Sequence, residues 1–179
     1  MLSAMLTKKF FIFIAAFSLQ TMVQTVNSWP YECEGNIPEE ERFYWDDDGT
    51  VTDLVSGLTW MRCALGQSWN GSTCTGESIA MPWDMALKKT HELNSIGGFA
   101  SYRDWRLPKL PELASIVNNN CKYPRIDLSL FPNTASVVFW STDRKQGTKA
   151  IYILDFGRAG VGITEPSESN HVRLVRGRD

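Results

Sequence analysis

Four cysteines standing behind an apolar leader constrain this chain more than any other feature of its sequence. Lys8 and Lys9 precede "FFIFIAAFSL" at Phe10 to Leu19, and a polar run follows to Ser28. An apolar run of about ten residues is too short to cross a hydrocarbon layer of roughly 30 Å as a helix, so residues 1–28 read as a secretory signal peptide, with Val26 and Ser28 suited to the cut. An uncleaved N-terminal anchor is the alternative. No cysteine lies close behind the apolar run, and no lipid anchor is expected. Cys33, Cys63, Cys74 and Cys121 all fall in the exported part, where an oxidising compartment favours disulfides over free thiols. Four cysteines allow three pairings. Cys63 and Cys74 flank "ALGQSWNGST", whose Asn70-Gly71 can reverse the chain, which pairs them locally and leaves Cys33 for Cys121. In the chain-entropy account the short loop contributes about 3 kcal/mol and the long one about 4 to 5 kcal/mol. A zinc site would need a C-x-x-C or Cys/His pair at ligand spacing, and the sequence has none.

Without the signal, residues 29–179 make about 150 residues, the length of one ordinary domain able to bury its own core. Losing Lys8 and Lys9 moves the formal charge from −2 to −4. That mild acidity argues against nucleic acid, which calls for a clustered basic excess. No repeat, low-complexity run or cofactor motif appears, and no membrane contact is expected once the signal is removed. Seven tryptophans and nine phenylalanines predict an aromatic-rich core with some rings near the surface.

"RFYWDDDGTVTDLVSGLTWMRC" reads as strands at Arg42 to Trp45, Thr50 to Leu54 and Leu58 to Met61. A type I′ turn is expected at Asp48-Gly49, because both of its central residues need positive φ. The adjacent aspartates invite calcium, with Asp46, Asp48 and Asp53 as candidate ligands, but their spacing does not fit an EF-hand loop. A helix is predicted from Pro82 to Ile96, with Trp83, Ala86, Leu87, Leu93 and Ile96 on its inner face and Lys88, Lys89 and Glu92 opposite. Gly97-Gly98 ends it. A shorter helix starts after Leu110, accepts Pro111 and Glu112 in its first turn, and runs to Val117. "VVFWST", "AIYILDF", "GVGIT" and "HVRLVR" then read as strands, with "DFGRAG" as a hairpin turn. Strands, two helices, then strands predict an α+β domain in which the terminal strands meet in one antiparallel sheet.

"DGTVTDLVSGLTWMRC", the Trp and Ala of the first helix, "DWRLPKLPEL", "FPN", "FWST" and the closing "VRLVR" together resemble the Lcl C-terminal domain family, from about Arg42 to Arg176 and in the family's order. The resemblance implies an exported, C-type-lectin-like fold of antiparallel sheets with two helices. It also implies a place on bacterial surface and secreted proteins. In the collagen-like adhesin that names the family, the domain is associated with sulfated polysaccharides such as glycosaminoglycans. This chain lacks a Gly-X-Y stem, and Lys109 stands after Arg106-Leu107-Pro108 where members often carry a capping Thr or Ser.

The expected function is an exported, non-catalytic binding module for anionic or sulfated polysaccharide in adhesion. Its candidate ligand-binding residues are Arg144, Lys145, Lys149 and Arg158 in or beside the loops of the last strands, where Arg and Lys could meet sulfate and carboxylate. Solvated loop charge is the plainer reading of those four residues. The alternative function is a structural or assembly subunit of a pilus or envelope complex, its partner an envelope protein. Catalysis is not expected. Formylglycine-generating oxidases have a distantly related fold, but they use reactive cysteines, and these four read as bridges. His91 and His171 complete no Ser/His/Asp spacing. "DWRLPKLPEL" reads as a structural corner. Trp105 and Leu107 are its inward residues, Pro108 stops a short strand, and Asp104, Arg106 and Glu112 supply a local charge pair.

Overall fold

A computed structural model describes Cys33, residues 42–45 and residues 47–177. The signal peptide and Asp46 lie outside the described residues. Among the described residues, strands and helices follow in the order β1 (Phe43–Trp45), β2 (Thr50–Asp53), β3 (Leu58–Met61), β4 (Ser68–Trp69), β5 (Cys74–Thr75), α1 (Trp83–Ser95), α2 (Leu110–Ser115), β6 (Val138–Arg144), β7 (Ile151–Asp155), β8 (Gly160–Thr164) and β9 (Val175–Arg176). The architecture is α+β with antiparallel sheets, compatible with the C-type-lectin-like expectation. Disulfides join Cys63 to Cys74 and Cys33 to Cys121, the pairing that the Asn70-Gly71 reversal predicts. The first ties the start of β5 to the chain just past β3. Two bridges fit an exported protein in an oxidising compartment. Among the described residues no helix is long and apolar enough to cross a membrane.

The first sheet has the order β1-β2-β3-β9. Its central strand β3 is buried along its whole length, as a strand covered on both faces must be. The turn into β2 differs from the expected type I′ form. Trp45 pairs with Val51, so the chain reverses over more than two residues, and of Asp48 and Gly49 only Gly49 has positive φ, at 86°. Asp48 instead accepts hydrogen bonds from the Thr50 backbone N–H and hydroxyl, each 2.8 Å, the local side-chain turn that Asp favours.

The terminal strands do not meet in one sheet. β6, β7 and β8 form their own antiparallel sheet, and only β9 joins the first. The reason lies in "HVRLVR", which is divided between the two sheets. His171 exchanges backbone hydrogen bonds with the β6 side, its N–H donating to Val138 and its carbonyl accepting from Trp140. The Leu174 and Val172 carbonyls accept from Met61 and Leu65, and Val175 pairs with Arg106. Two residues remain for a regular strand.

β6 and β7 separate two clusters of core side chains. Phe139, Leu154 and Phe156 pack with Val51, Trp60 and Leu113, whereas Trp140 and Ile151 pack with Trp83, Ala86, Trp105 and Leu107. The predicted inner face of α1 is half right. Trp83, Ala86 and Thr90 are buried, but Leu87 is exposed and Ile96, past the last turn, is 85 % exposed. A Cβ on Gly98 would collide with the Tyr102 carbonyl, which fixes the helix stop. Arg173 is fully buried, and among the described residues no carboxylate pairs with it. Its guanidinium donates to the carbonyls of Met61 and Arg62 and to the Thr134 hydroxyl, beside the ring of Phe131. Burial pushes its pKa down to about 9, still above neutral pH, so the core holds a cation whose two terminal nitrogens meet oxygen acceptors while its Nε has none among the described residues.

Candidate functional site

The site is built from the corner at Asp104 to Leu113. Asn94 of α1 clamps it. The Asn94 amide donates to the Trp105 carbonyl at 2.8 Å and its oxygen accepts from the Trp105 N–H at 3.1 Å. The Trp105 indole is 2 % exposed and donates to the Phe99 carbonyl. The expected short strand reduces to a single bridge between Arg106 and Val175. Arg106 meets Glu112 through two hydrogen bonds of 2.8 and 2.7 Å. Burial raises the Glu112 carboxyl's pKa, but the Arg106 hydrogen bonds, the Lys109 backbone N–H and the Arg106 charge outweigh it and hold the group below its ordinary range. Asp104 does not join that pair; it accepts from Arg176 at 2.8 Å.

Lys109 has no acceptor with which to cap α2. Two carboxylates act in its place. Glu112 accepts from the Lys109 N–H and Asp143 of β6 accepts from the Leu110 N–H, both at 2.7 Å. A backbone bond from Thr142 to the Pro108 carbonyl, also 2.7 Å, fastens the same corner to β6. Between the corner and α1 lies a groove of about 400 Å³ whose lining includes Leu87, His91, Asn94, Arg106, Lys109 and Thr142.

The four cations singled out in the sequence do not assemble into one patch. Arg144 ends β6, and Lys145 and Lys149 occupy the β6–β7 loop, which the Lys145 N–H closes onto the Ala150 carbonyl at 2.8 Å. All three are exposed. Arg158 lies in the β7–β8 turn, at the far end of a five-residue strand, roughly 15 Å away at about 3.3 Å per residue. Arg144 is 4.5 Å from the centre of the Trp83 ring, so that ring is already covered and offers no free stacking face. Sequence reasoning did not place two residues of the groove lining, His91 and Lys109, at a site. Lys109 registered only as a departure from the family, because nothing in the chain signals that Thr142 and Asp143 bring it beside β6.

The calcium candidates are disposed otherwise. Asp53 is 1 % exposed and both its oxygens meet Arg42, at 3.2 and 2.8 Å. Burial raises its pKa, but hydrogen bonds from Arg42 and the Val55 N–H outweigh this and hold the carboxyl low. Asp48 is engaged by Thr50. Among the described residues no three His, Cys, Asp or Glu side chains converge as metal ligands. One contact was invisible in the sequence: Ser78 Oγ lies 2.8 Å from His171 Nδ1 across 93 positions. Burial lowers the His171 pKa, and among the described residues no carboxylate completes a triad with it.

The sequence profile of the Lcl C-terminal domain matches residues 49–176. No curated protein matches the chain.

Proposed function

Because this chain belongs to the Lcl C-terminal domain family, whose profile covers well over half of it, we propose that it is an exported, non-catalytic module that binds anionic polysaccharide at the bacterial surface. One observation carries the reading. Arg144, Lys145 and Lys149 stand exposed at one end of the β6–β7–β8 sheet, next to a groove that adds His91 and Lys109. Two acids on the same side are engaged, Asp143 by the α2 backbone and Glu112 by Arg106. Arg144, Lys145, Lys149, Lys109 and Arg106 outnumber Asp143 and Glu112, so a local positive rim stands out from a chain of net negative charge, as recognition of sulfate or carboxylate requires. With Trp83 covered by Arg144, the rim offers charge and bidentate hydrogen bonding rather than ring stacking.

Titration of the oxidised, full exported chain with a sulfated glycosaminoglycan oligosaccharide at two salt concentrations tests this. Binding is expected to weaken with salt, and Lys145→Glu with Lys149→Glu is expected to weaken it by about tenfold or more. Equal binding to a neutral polysaccharide, or no loss in the double variant, would remove the proposal.

A second reading, an assembly subunit of a pilus or envelope complex, draws support from the opposite side of α1. A groove of about 400 Å³ there is lined by Leu65, Ile79, Met81, Met85, Leu93 and Ile96, several of them well exposed, as contact surfaces often are. Co-purification of envelope proteins that is lost on Met85→Lys and Ile96→Lys, with no glycan bound, would favour it.

A further inference from the structure

We infer that β8 is a self-association edge, through which two copies of this chain pair antiparallel to make one six-stranded sheet. Sheet edges present unpaired N–H and C=O groups, and proteins protect them by keeping edge strands short, by charge or proline, or by covering them. The other edges here are protected in those ways. β1 has three residues and β9 two, and the outer side of β6 is bonded to His171. β8 has five residues, Gly160–Thr164, with no charge and no proline. Beyond its pairing with β7, no other described segment hydrogen-bonds to that run.

The strand is also complementary to itself. Val161 and Ile163 are 57 % and 45 % exposed and share one face of the sheet, because alternate residues do. A two-fold axis through Gly162 sets Val161 of each copy opposite Ile163 of the other, an apolar cross-strand pair, and sets Gly162 opposite Gly162, where no side chain obstructs the approach. The same register lays the turn that carries Arg158 beside the partner's turn from Glu165 to Glu168, which the Glu168 N–H closes onto the Glu165 carbonyl. Opposite charges thus meet at both ends of the new contact. The Asp155 carboxylate, nearest to Arg158 along the sheet, is occupied by the Gly157 N–H at 2.8 Å. This also accounts for Arg158 standing apart from the other three cations.

Sedimentation of the oxidised, full exported chain over a wide concentration range tests the pairing. A monomer–dimer equilibrium is expected, with Val161→Lys weakening association by about tenfold or more through like charges and lost apolar contact. Because Val161 is exposed, that variant should keep the thermal midpoint of the parent at low concentration. Arg158→Glu alone and Glu165→Arg with Glu168→Arg alone should each weaken the dimer, and combining them should restore it. A chain that remains monomeric at every concentration, or a dimer unaffected by Val161→Lys and by the charge swap, overturns the inference.

Discussion

Trp105 carries more of the structure than any other single ring in the corner. It is buried, its indole N–H and both backbone polar groups are satisfied, and the edges of Phe99 and Tyr102 meet it at 6.1 and 6.3 Å between centroids. Trp105→Ala leaves a large cavity and should destabilise the fold by about 3 to 5 kcal/mol, measured as a shift in urea midpoint at unchanged slope. A loss below about 1 kcal/mol would mean that the ring is not packed as described. At this scale the sequence was readable where a residue's partner lies close along the chain. Arg106 and Glu112 are six positions apart, Cys63 and Cys74 eleven. Apart from Cys33 with Cys121, which was left once Cys63 and Cys74 were paired, long-range partners were not readable, and Arg173 shows why. Its acceptors are backbone carbonyls more than 110 positions away and the hydroxyl of Thr134, and a carbonyl has no residue identity by which a sequence could announce it.

Among the elements, α2 depends most on a neighbour. It has six residues, too few to hold a helix alone in water, and the cap that its own N-cap residue cannot supply comes from Asp143. Asp143→Ala should therefore cost about 0.5 to 2 kcal/mol, although Asp143 lies in a strand and outside the core. Adding Lys109→Ser, which supplies a local acceptor for the Glu112 N–H, should recover part of that loss. Urea denaturation of the two variants checks both, and an unchanged midpoint in Asp143→Ala would refute the cross-element cap. Both helices and most strands were legible because their periodicities are local. The division of the last strands between two sheets was not, since "HVRLVR" has the composition of a strand and only tertiary pairing decides which neighbour takes each residue. The same limit applies to the candidate site. Four cations in loops looked equivalent in one dimension, and the direction of β7 sent Arg158 to the opposite end.

For the molecule as a whole, acid is the sensitive direction. His171 has a folded pKa below its ordinary 6.5. The unfolded chain therefore binds the proton more readily, and stability falls as pH drops below about 6.5 until the folded group also titrates. Asp53 and Glu112 have folded pKa values below their ordinary 3.8 and 4.5. Their contribution is complete above that range and is lost as pH falls through it. Urea midpoints between pH 7.5 and pH 3 should decline in two stages, and His171→Gln should remove the first stage only. A flat response between pH 7 and pH 5.5 would show that the imidazole is not held neutral by burial.

The Cys33–Cys121 bridge spans 88 positions, and β1 to β5 with both helices all lie between its ends. A pull applied to the chain on the N-terminal side of Cys33 would therefore pass through the sulfur bridge to Cys121 and reach the β6–β7–β8 sheet directly. The strands and helices between the two cysteines would lie outside the covalent path and be loaded only through contacts such as the pairing of β9 with β3. While the bridge is oxidised, those 88 positions, about 300 Å of contour when fully extended, cannot be drawn out. Pulled from that side, the domain would thereby keep the chain between its two cysteines from being drawn out, and β9 would tie the first sheet to the loaded part.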